Sequence, residues 1–252
     1  MSKPTAIVTG AAQRLGRAMA AYLAESGYAV AVHYNNSSAA AEEFAAMLRR
    51  QGYSAAAVQA NLADADAVSG LVGDVAALLG PPVCLVNSAS VFVEDTALDF
   101  TADVWQSHMD VHLRAPAILA QSLADLLPDD REGLIVNMLD EAVLRPGPTY
   151  FSYTVSKAAL AAMTEMLAQA LAPRIRVNAI APGLILNSGH PSEEAFRRAH
   201  KNTLLRRGPG EESIVRALRY LVEATEVTGE VLYVDAGKHL MQGQKYIASP
   251  GN

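Results

Sequence analysis

The chain has 252 residues, and 51% of them are hydrophobic, which is enough to bury the core of one large α/β domain and argues against disorder. The formal charge of -6 gives no basic surface for nucleic acid. The single cysteine, Cys84, excludes a disulfide or a cysteine metal cluster within the chain, and no apolar run is long enough to span a membrane. We therefore expect a soluble, cytoplasmic protein that binds neither nucleic acid nor a membrane.

Strand and helix signals alternate through the first half of the chain. "TAIVT" is a short apolar run, and "RLGRAMAAYLAESG" then shows helical spacing and ends on Gly27, a common helix stop. The same alternation continues through the strand "YAVAVHY", the helix "SSAAAEEFAAMLRRQG", the strand "YSAAAVQA", a helix around "DADAVSGLVGDVAALLG" and the strand "VCLVNSA".

The second half repeats the alternation with longer helices. A helix from about Ala102 to Leu127 precedes the strand "LIVNML", and a helix from about Tyr150 to Ala172 precedes the strand "RIRVNAI". A helix in "GEESIVRALRYLVEA" and the strand "EVLYVDAG" complete the pattern. The stretch 184–210 is the longest irregular interruption, so we expect it to form a substrate loop, with its basic part "RRAHKNTLLRR" on a solvated helix face.

Seven nearly continuous apolar strands that alternate with helices predict an α/β fold with a parallel sheet covered on both faces. No linker, repeat or break in composition divides the sequence. We therefore predict a single-domain, Rossmann-type, doubly wound protein over residues 1–252.

The turn "TGAAQRLG" follows the first strand and opens the first helix. Its small residues, Gly10 and Gly16 among them, let the backbone approach a pyrophosphate, whose charge the helix start would stabilise. By itself this turn could equally be a tight strand-to-helix connection.

The end of the second strand, "VHYNNSS", carries no acidic residue where a dinucleotide fold selective for NAD would place one. It offers uncharged hydrogen-bonding side chains instead: His33, Tyr34, Asn35, Asn36 and Ser37. A 2′-phosphate would not be repelled there, and Arg14 could add a cation nearby. This pattern favours NADPH over NADH.

In "YTVSK" the side chains of Tyr153 and Lys157 are four residues apart and share one face of a helix. An ammonium beside a phenol should lower its pKa from about 10 toward the working pH, so that Tyr153 can exchange a proton. Asp140 follows the strand "LIVNML", whose carboxyl end should meet this helix at the ligand edge of the sheet. The alternative is an amphipathic helix with an exposed lysine and a half-buried tyrosine.

Together, "TGAAQRLG", "NSAS", "YTVSK" and "RVNAIAPG", in this order and spacing, resemble the short-chain dehydrogenase/reductase family over essentially the whole chain. The resemblance implies that Tyr153 is the acid/base, that Lys157 holds the nicotinamide ribose, and that the protein is a homotetramer. The cofactor contacts expected on this basis are Gly10, Arg14, Leu15, Gly16, His33, Tyr34, Asn35, Ser37, Asn61, Leu62, Asn87, Ser88, Ala89, Tyr153, Lys157, Pro182, Gly183 and Ile185.

Three departures from the family pattern concern the substrate. Arg14 replaces the middle glycine of the turn, Asp140 replaces a catalytic serine, and "NSAS" replaces Asn-Asn-Ala-Gly. With the nearby Phe92 they are similar to the pteridine reductase branch, including dihydromonapterin-type reductases, in which the arginine lies between cofactor and substrate and the phenyl ring stacks on the pterin. The implied substrate contacts are Arg14, Ser90, Phe92, Asp140 and Tyr153.

Asp140 also favours a nitrogen heterocycle on chemical grounds. An ionised carboxylate only accepts hydrogen bonds, so it suits an N–H group better than a carbonyl oxygen. We therefore predict an NADPH-dependent reductase of a pteridine-like substrate, with Tyr153 as the proton donor. The alternatives are a short-chain carbonyl reductase and a protein that senses the cofactor without turnover.

His112 stands where the family has an asparagine that holds a proton-relay water. Imidazole can also relay protons, so His112 joins Asp140, Tyr153 and Lys157 as a catalytic candidate. A structural histidine whose hydrogen bonds are satisfied is the other interpretation. Nearby, Tyr150 is expected to pack at the start of its helix.

Overall fold

The computed structural model describes residues 3–185 and 192–241. Seven parallel strands form one sheet in the order β3-β2-β1-β4-β5-β6-β7. The strands are β1 Thr5–Val8, β2 Ala29–Tyr34, β3 Ala55–Gln59, β4 Pro82–Asn87, β5 Gly133–Met138, β6 Ile175–Pro182 and β7 Val231–Val234. The predicted doubly wound Rossmann-type fold is confirmed.

Eight α-helices flank this sheet in the described residues. They are α1 Arg14–Glu25, α2 Ser38–Arg50, α3 Ala65–Leu79, α4 Ala102–Met109, α5 Ala115–Leu126, α6 Phe151–Leu171, α7 Glu193–Lys201 and α8 Glu211–Glu223. No helix in the two described ranges has both the length and the apolarity that crossing a membrane requires.

The first strand contributes side chains to the hydrophobic layers on both faces of the sheet. Ala6 and Val8 pack with α1, α2 and α8, whereas Ile7, between them, packs with α3 and α5 on the opposite face. All three side chains are fully buried. Because both faces of the sheet are covered, the strands are mostly apolar and do not alternate regularly with polar residues.

The long helix predicted from Ala102 to Leu127 is interrupted. Between α4 and α5 the chain forms a π-helical segment, Asp110–Arg114. Pro116 has no N–H to donate to the carbonyl of His112 four residues earlier, which explains why regular α-helical bonding fails at this point. The wider turn changes how α4 and the π-helical segment present their side chains to α6.

The prediction for 184–210 is wrong in one respect, because the stretch contains the regular helix α7. Ser192 caps this helix by accepting from the amide of Ala195, and the basic residues of its last turn include Arg198 and Lys201. The interpretation of this basic segment as a solvated helix face is therefore correct for α7. Residues 186–191, also part of the predicted substrate loop, lie outside the described residues.

The close contact of α1 with the turn after β1 generates a test. A Cβ atom added to Gly16 would lie 2.3 Å from the backbone oxygen of Gly10, whereas one added to Gly73 in α3 would meet nothing within 4 Å. We expect Gly16→Ala to lower the free energy of unfolding by about 1–3 kcal/mol. The control Gly73→Ala should raise the free energy of unfolding by up to about 1 kcal/mol, because alanine has a higher helix propensity than glycine at an exposed helical position. Urea unfolding followed by circular dichroism measures both, and equal effects would contradict the close-contact argument.

Candidate active site

A cleft of about 700 Å³ opens at the carboxyl ends of the strands. It lies where β1 has β2 on one side and β4 on the other, so the connections leave the sheet centre in opposite directions. Ligands of open parallel sheets bind at this switch point. The fold therefore brings the turns after β1, β2, β4, β5 and β6 to one place.

The cleft collects nearly every residue predicted to contact cofactor or substrate. Those that line it are Gly10, Arg14, Leu15, Gly16, His33, Tyr34, Asn35, Ser37, Asn61, Leu62, Ser88, Ala89, Ser90, Phe92, Asp140, Tyr153, Lys157, Pro182, Gly183 and Ile185. Asn87 is the exception. It ends β4 behind the cleft, where its side-chain amide donates to Asn137 Oδ1 at 2.8 Å.

The turn after β1 is built for close approach. Gly10 has a φ of 67°, and a Cβ atom there would lie 2.9 Å from the Cα of Ala89. The start of α1 has no side-chain cap, because Gln13 at its N-cap makes no capping hydrogen bond. A crowded glycine turn that leads to an uncapped helix start fits a dinucleotide pyrophosphate, as predicted.

Arg14 keeps the backbone conformation of the glycine it replaces. Its φ is 52°, in the left-handed region, which costs a residue with a side chain roughly 1–2 kcal/mol. The side chain is exposed and lines the cleft. A cation is thus held at the cleft rim at a conformational cost.

His33 lines the cleft and also makes two hydrogen bonds to other segments that the sequence did not predict. Its Nδ1 accepts from the amide of Gly10 at 3.1 Å, and its Nε2 donates to the carbonyl of Ala60 at 3.1 Å. Burial lowers the pKa of His33 to about 4, so the ring is neutral near pH 7. His33 therefore supports the glycine turn from beneath and contributes no positive charge to the cleft.

The reacting end of the cleft joins the Asp140 carboxylate to the Tyr153 hydroxyl. Tyr153 Oη donates to Asp140 Oδ2 at 3.1 Å, while Asp140 Oδ1 accepts from the amide of Ala142 at 2.8 Å. Asp140 thus caps the short 3-10 turn that follows β5 and still has one oxygen for the phenol. The expected pairing of these two side chains is present.

The predicted lowering of the Tyr153 pKa is wrong. Burial, followed by the charge of Asp140 and the hydrogen bond to it, raises the pKa of Tyr153 well above its usual value. Lys157 is also buried and donates from Nζ to the carbonyl of Met138 at 2.7 Å. Burial lowers the pKa of Lys157 to about 8, against the opposing effect of Asp140. The phenol therefore holds its proton at neutral pH.

Phe92 lies beside Tyr153 as expected, with an aromatic neighbour that the sequence did not reveal. Its ring is 47% exposed and makes a perpendicular contact with Tyr153 at a centroid distance of 4.7 Å. Tyr150 stacks on Phe92 at 4.3 Å with an interplanar angle of 12°. Tyr150 also has a φ of 53° at the N-cap of α6. Tyr150 therefore packs against Phe92, in addition to its place at the helix start.

His112 is buried, and both of its ring nitrogens are engaged. Nε2 accepts from the amide of Val91 at 3.0 Å, and Nδ1 contacts Ser156 Oγ at 2.8 Å. Burial, then the charges of Lys157 and His108, lower its pKa to about 2. This arrangement favours the structural interpretation of His112 over a proton relay.

Two further charged residues line the cleft without having been predicted. Lys238, which follows β7, forms an ion pair with Glu141, the neighbour of Asp140. Because Lys238 and Glu141 are far apart in the sequence, no local pattern predicted this contact. From the predicted substrate loop, Leu184 and Ile185 line the cleft, and His200 of α7 donates to the carbonyl of Leu184 at 2.8 Å.

Comparison with known proteins places these features in a family. Residues 10–239 match the family model described as Enoyl-(Acyl carrier protein) reductase. The chain is 30% identical over 241 residues to 3-oxoacyl-[acyl-carrier-protein] reductase FabG of Staphylococcus aureus, covering 94% of this chain and 98% of the relative. It is 29% identical over 236 residues to dihydromonapterin reductase of Shigella flexneri, covering 93% and 96%.

Solved structures give the same picture. FolM alternative dihydrofolate reductase 1 from Brucella canis, complexed with NADP, superposes with a TM-score of 0.91 at 41% identity, covering 97% of this chain and 98% of that one. A short-chain dehydrogenase from Burkholderia cenocepacia in complex with NADP superposes with a TM-score of 0.87 at 31% identity, covering 94% and 98%.

The buried neutral histidines predict how stability depends on pH. Burial lowers the pKa of His33, His108 and His112 below the value of about 6.5 that histidine has in an unfolded chain. Between pH 6.5 and 5 the unfolded chain gains protons that the folded chain does not, so stability must fall as pH falls. Each histidine contributes up to about 1.4 kcal/mol per pH unit.

Urea unfolding at a series of pH values tests this expectation. The slope between pH 6.5 and 5 should be smaller in His33→Gln than in the unchanged protein, because one titrating group is gone. A free energy of unfolding that stays constant over this range would contradict the neutral, buried state of the three rings.

Proposed function

Because the chain belongs to the short-chain dehydrogenase/reductase family, we propose that it is an NADPH-dependent reductase of a dihydropterin-type heterocycle. The observation that carries the proposal is the 3.1 Å hydrogen bond from the Tyr153 hydroxyl to the Asp140 carboxylate inside the cleft. The half-exposed ring of Phe92 beside it supplies an aromatic surface for a flat substrate. The similarity to a dihydromonapterin reductase and to an alternative dihydrofolate reductase supports the same substrate class.

The residues of the cleft fit a nicotinamide dinucleotide. When bound, the cofactor supplies a hydride from its nicotinamide ring. Gly10 and Gly16, where no Cβ atom fits, would admit the pyrophosphate with Leu15 at the helix start. Lys157 has two further N–H donors for the nicotinamide ribose, and Pro182, Gly183 and Ile185 would flank the carboxamide.

Selection of NADPH over NADH would depend on the residues at the end of the cleft opposite the nicotinamide. Tyr34, Asn35 and Ser37 follow or end β2 without a negative charge, and Arg14 lines the same cleft. Since His33 is neutral, Arg14 is the cation that would attract the 2′-phosphate. An acidic residue here would repel that phosphate and favour NADH.

The proton chemistry follows from the hydrogen bond between the Tyr153 hydroxyl and the Asp140 carboxylate. Tyr153 holds its proton at neutral pH because burial and Asp140 raise its pKa. We expect Tyr153 to protonate the ring nitrogen of a C=N bond as the adjacent carbon accepts the hydride, since the negative charge that hydride addition places on this nitrogen makes it more basic than a phenolate. Asp140, which can only accept hydrogen bonds when ionised, would hold an N–H group of the heterocycle.

A carbonyl substrate is the second candidate. The FabG relatives, named as 3-oxoacyl-[acyl-carrier-protein] reductases, favour a ketone, and the fold and cofactor cleft suit both classes. An ionised Asp140 cannot donate to a carbonyl oxygen, whereas the family's serine can. Asp140 therefore weighs against this candidate.

Oxidation of the nicotinamide cofactor, followed by its absorbance, separates the candidates. We expect turnover with dihydrobiopterin or dihydromonapterin, faster with NADPH than with NADH, and little turnover with a panel of ketones that includes a β-ketoacyl thioester. Turnover with ketones alone would refute the dihydropterin proposal. Binding of NADPH without its oxidation in the presence of any of these substrates would indicate a sensor.

Replacement of Asp140 by the family's usual residue tests the mechanism. Asp140→Ser should lower kcat/KM for a dihydropterin by roughly 100-fold, because it removes the positioned acceptor, and should affect a ketone much less. Asp140→Asn serves as the isosteric control, since it keeps the shape and removes the charge. Equal losses with both substrate classes would show that Asp140 is structural.

For the assembly we propose a homotetramer, and for the location the cytoplasm, as expected for the family. Apolar side chains exposed on the two helices that precede and follow β5, Leu126 at 43% and Met166 at 67%, support an interface with neighbouring subunits.

A further inference from the structure

Two buried histidines, His108 and His112, stand between the loop after β4 and the helix α6. We name residues 90–96, which carry the aromatic ring of Phe92, the Phe92 loop. The two imidazole rings are four residues apart and nearly parallel, with centroids 5.6 Å apart and an interplanar angle of 20°. Both side chains are excluded from solvent.

Each of the two rings accepts a hydrogen bond from a backbone amide of the Phe92 loop, and His112 Nε2 also contacts Ser90 Oγ at 3.0 Å. Nε2 of His112 accepts from the amide of Val91 at 3.0 Å, and Nε2 of His108 accepts from the amide of Val93 at 3.4 Å. These two amides flank Phe92. The loop is therefore attached to an imidazole on either side of its aromatic residue.

On the other side of each ring lies a serine of α6. Nδ1 of His112 contacts Ser156 Oγ at 2.8 Å, and Nδ1 of His108 contacts Ser152 Oγ at 2.6 Å. Because each Nε2 accepts from a backbone N–H, each Nδ1 carries the proton and donates to its serine. The chemistry of the partners thus fixes one neutral tautomer for both rings.

Each of the two serines donates a further hydrogen bond within the site. Ser156 Oγ donates to the carbonyl of Tyr153 at 2.7 Å, and Ser152 Oγ donates to Asp95, whose other carboxylate oxygen accepts from the amide of Ser152 at 3.1 Å. Asp95 belongs to the Phe92 loop and is buried. The loop and the first turns of α6 are therefore joined at both histidines and at Asp95.

We propose that His108 and His112 are positioning residues that hold the Phe92 ring at a fixed distance from the Tyr153 hydroxyl. This inference rests on the proposed function for the identity of the ligand, a flat heterocycle that stacks on Phe92. Neither histidine lines the cleft, and each ring makes only an edge contact with the Tyr153 ring, at centroid distances of 5.9 Å and 5.4 Å. They act on the substrate through the loop, so we expect them to govern how well the heterocycle binds and to leave the proton transfer from the Tyr153 hydroxyl unchanged.

The test uses His112→Phe, which keeps a ring and removes the hydrogen bonds to Val91, Ser90 and Ser156. It also uses Ser156→Ala, which removes the acceptor for His112 Nδ1 together with the hydrogen bond from Ser156 Oγ to the carbonyl of Tyr153. Ser69→Ala is the matched control, since Ser69 lies on α3 and donates only to the carbonyl of Ala65 in its own helix. If the loop is released, the KM for a dihydropterin should rise about fivefold, the loss of one stacking contact, with kcat changed by less than about twofold. The KM for a ketone should not change.

Hydrogen exchange measured by mass spectrometry gives a readout that needs no substrate. Residues 88–96 should exchange faster in His112→Phe and in Ser156→Ala than in Ser69→Ala, while β1 exchanges at the same rate in all three. Unchanged exchange in residues 88–96, or a parallel loss of kcat for both substrate classes, would overturn the proposal. A protein that reduces only ketones but whose loop exchanges faster in both variants would refute the proposed substrate and retain the positioning role.

Discussion

Burial and the charge of Asp140 together determine the pKa values of Tyr153 and Lys157 at the reacting end. Burial raises the pKa of Tyr153, and the adjacent carboxylate raises it further. Burial lowers the pKa of Lys157 to about 8, and the same carboxylate opposes that change. A serine in this position could supply a hydrogen bond but no charge. Asp140 therefore favours the protonated forms of Tyr153 and Lys157 until a strongly basic substrate atom accepts a proton.

Two of the four non-glycine residues with a positive φ in the described ranges belong to the cleft or contact its aromatic residue. Arg14 lines the cleft, and Tyr150 stacks on Phe92. The conformation costs a residue with a side chain roughly 1–2 kcal/mol. Glycine would relieve the strain at either position but would remove the cation or the supporting ring. Strained residues of this kind mark sites where the side chain is needed for function.

The sequence predicted the elements that depend on local patterns and missed those that depend on distant contacts. Seven strands and the glycine turn follow from hydrophobic runs and from residue spacing, and the structure has them. The direction of the Tyr153 pKa shift could not be predicted, because it depends on the burial of the ring as well as on Asp140. The role of His33 was missed for a similar reason, since its partners Gly10 and Ala60 lie on other segments. Lys238 and Glu141, which form an ion pair, follow β7 and β5 respectively and are far apart in the sequence.

Overall similarity cannot choose the substrate of this chain, because relatives that act on different chemical classes match it about equally well over nearly the same length. The shared part is the sheet and the cofactor end of the cleft, which any member of the family needs. The substrate must be decided by the few side chains that differ from the family pattern, and Asp140, Phe92 and Arg14 all line the cleft. An acceptor-only carboxylate next to a protonated phenol is poorly suited to a carbonyl oxygen and well suited to a ring that carries N–H groups. The local chemistry therefore carries more weight than the global alignment.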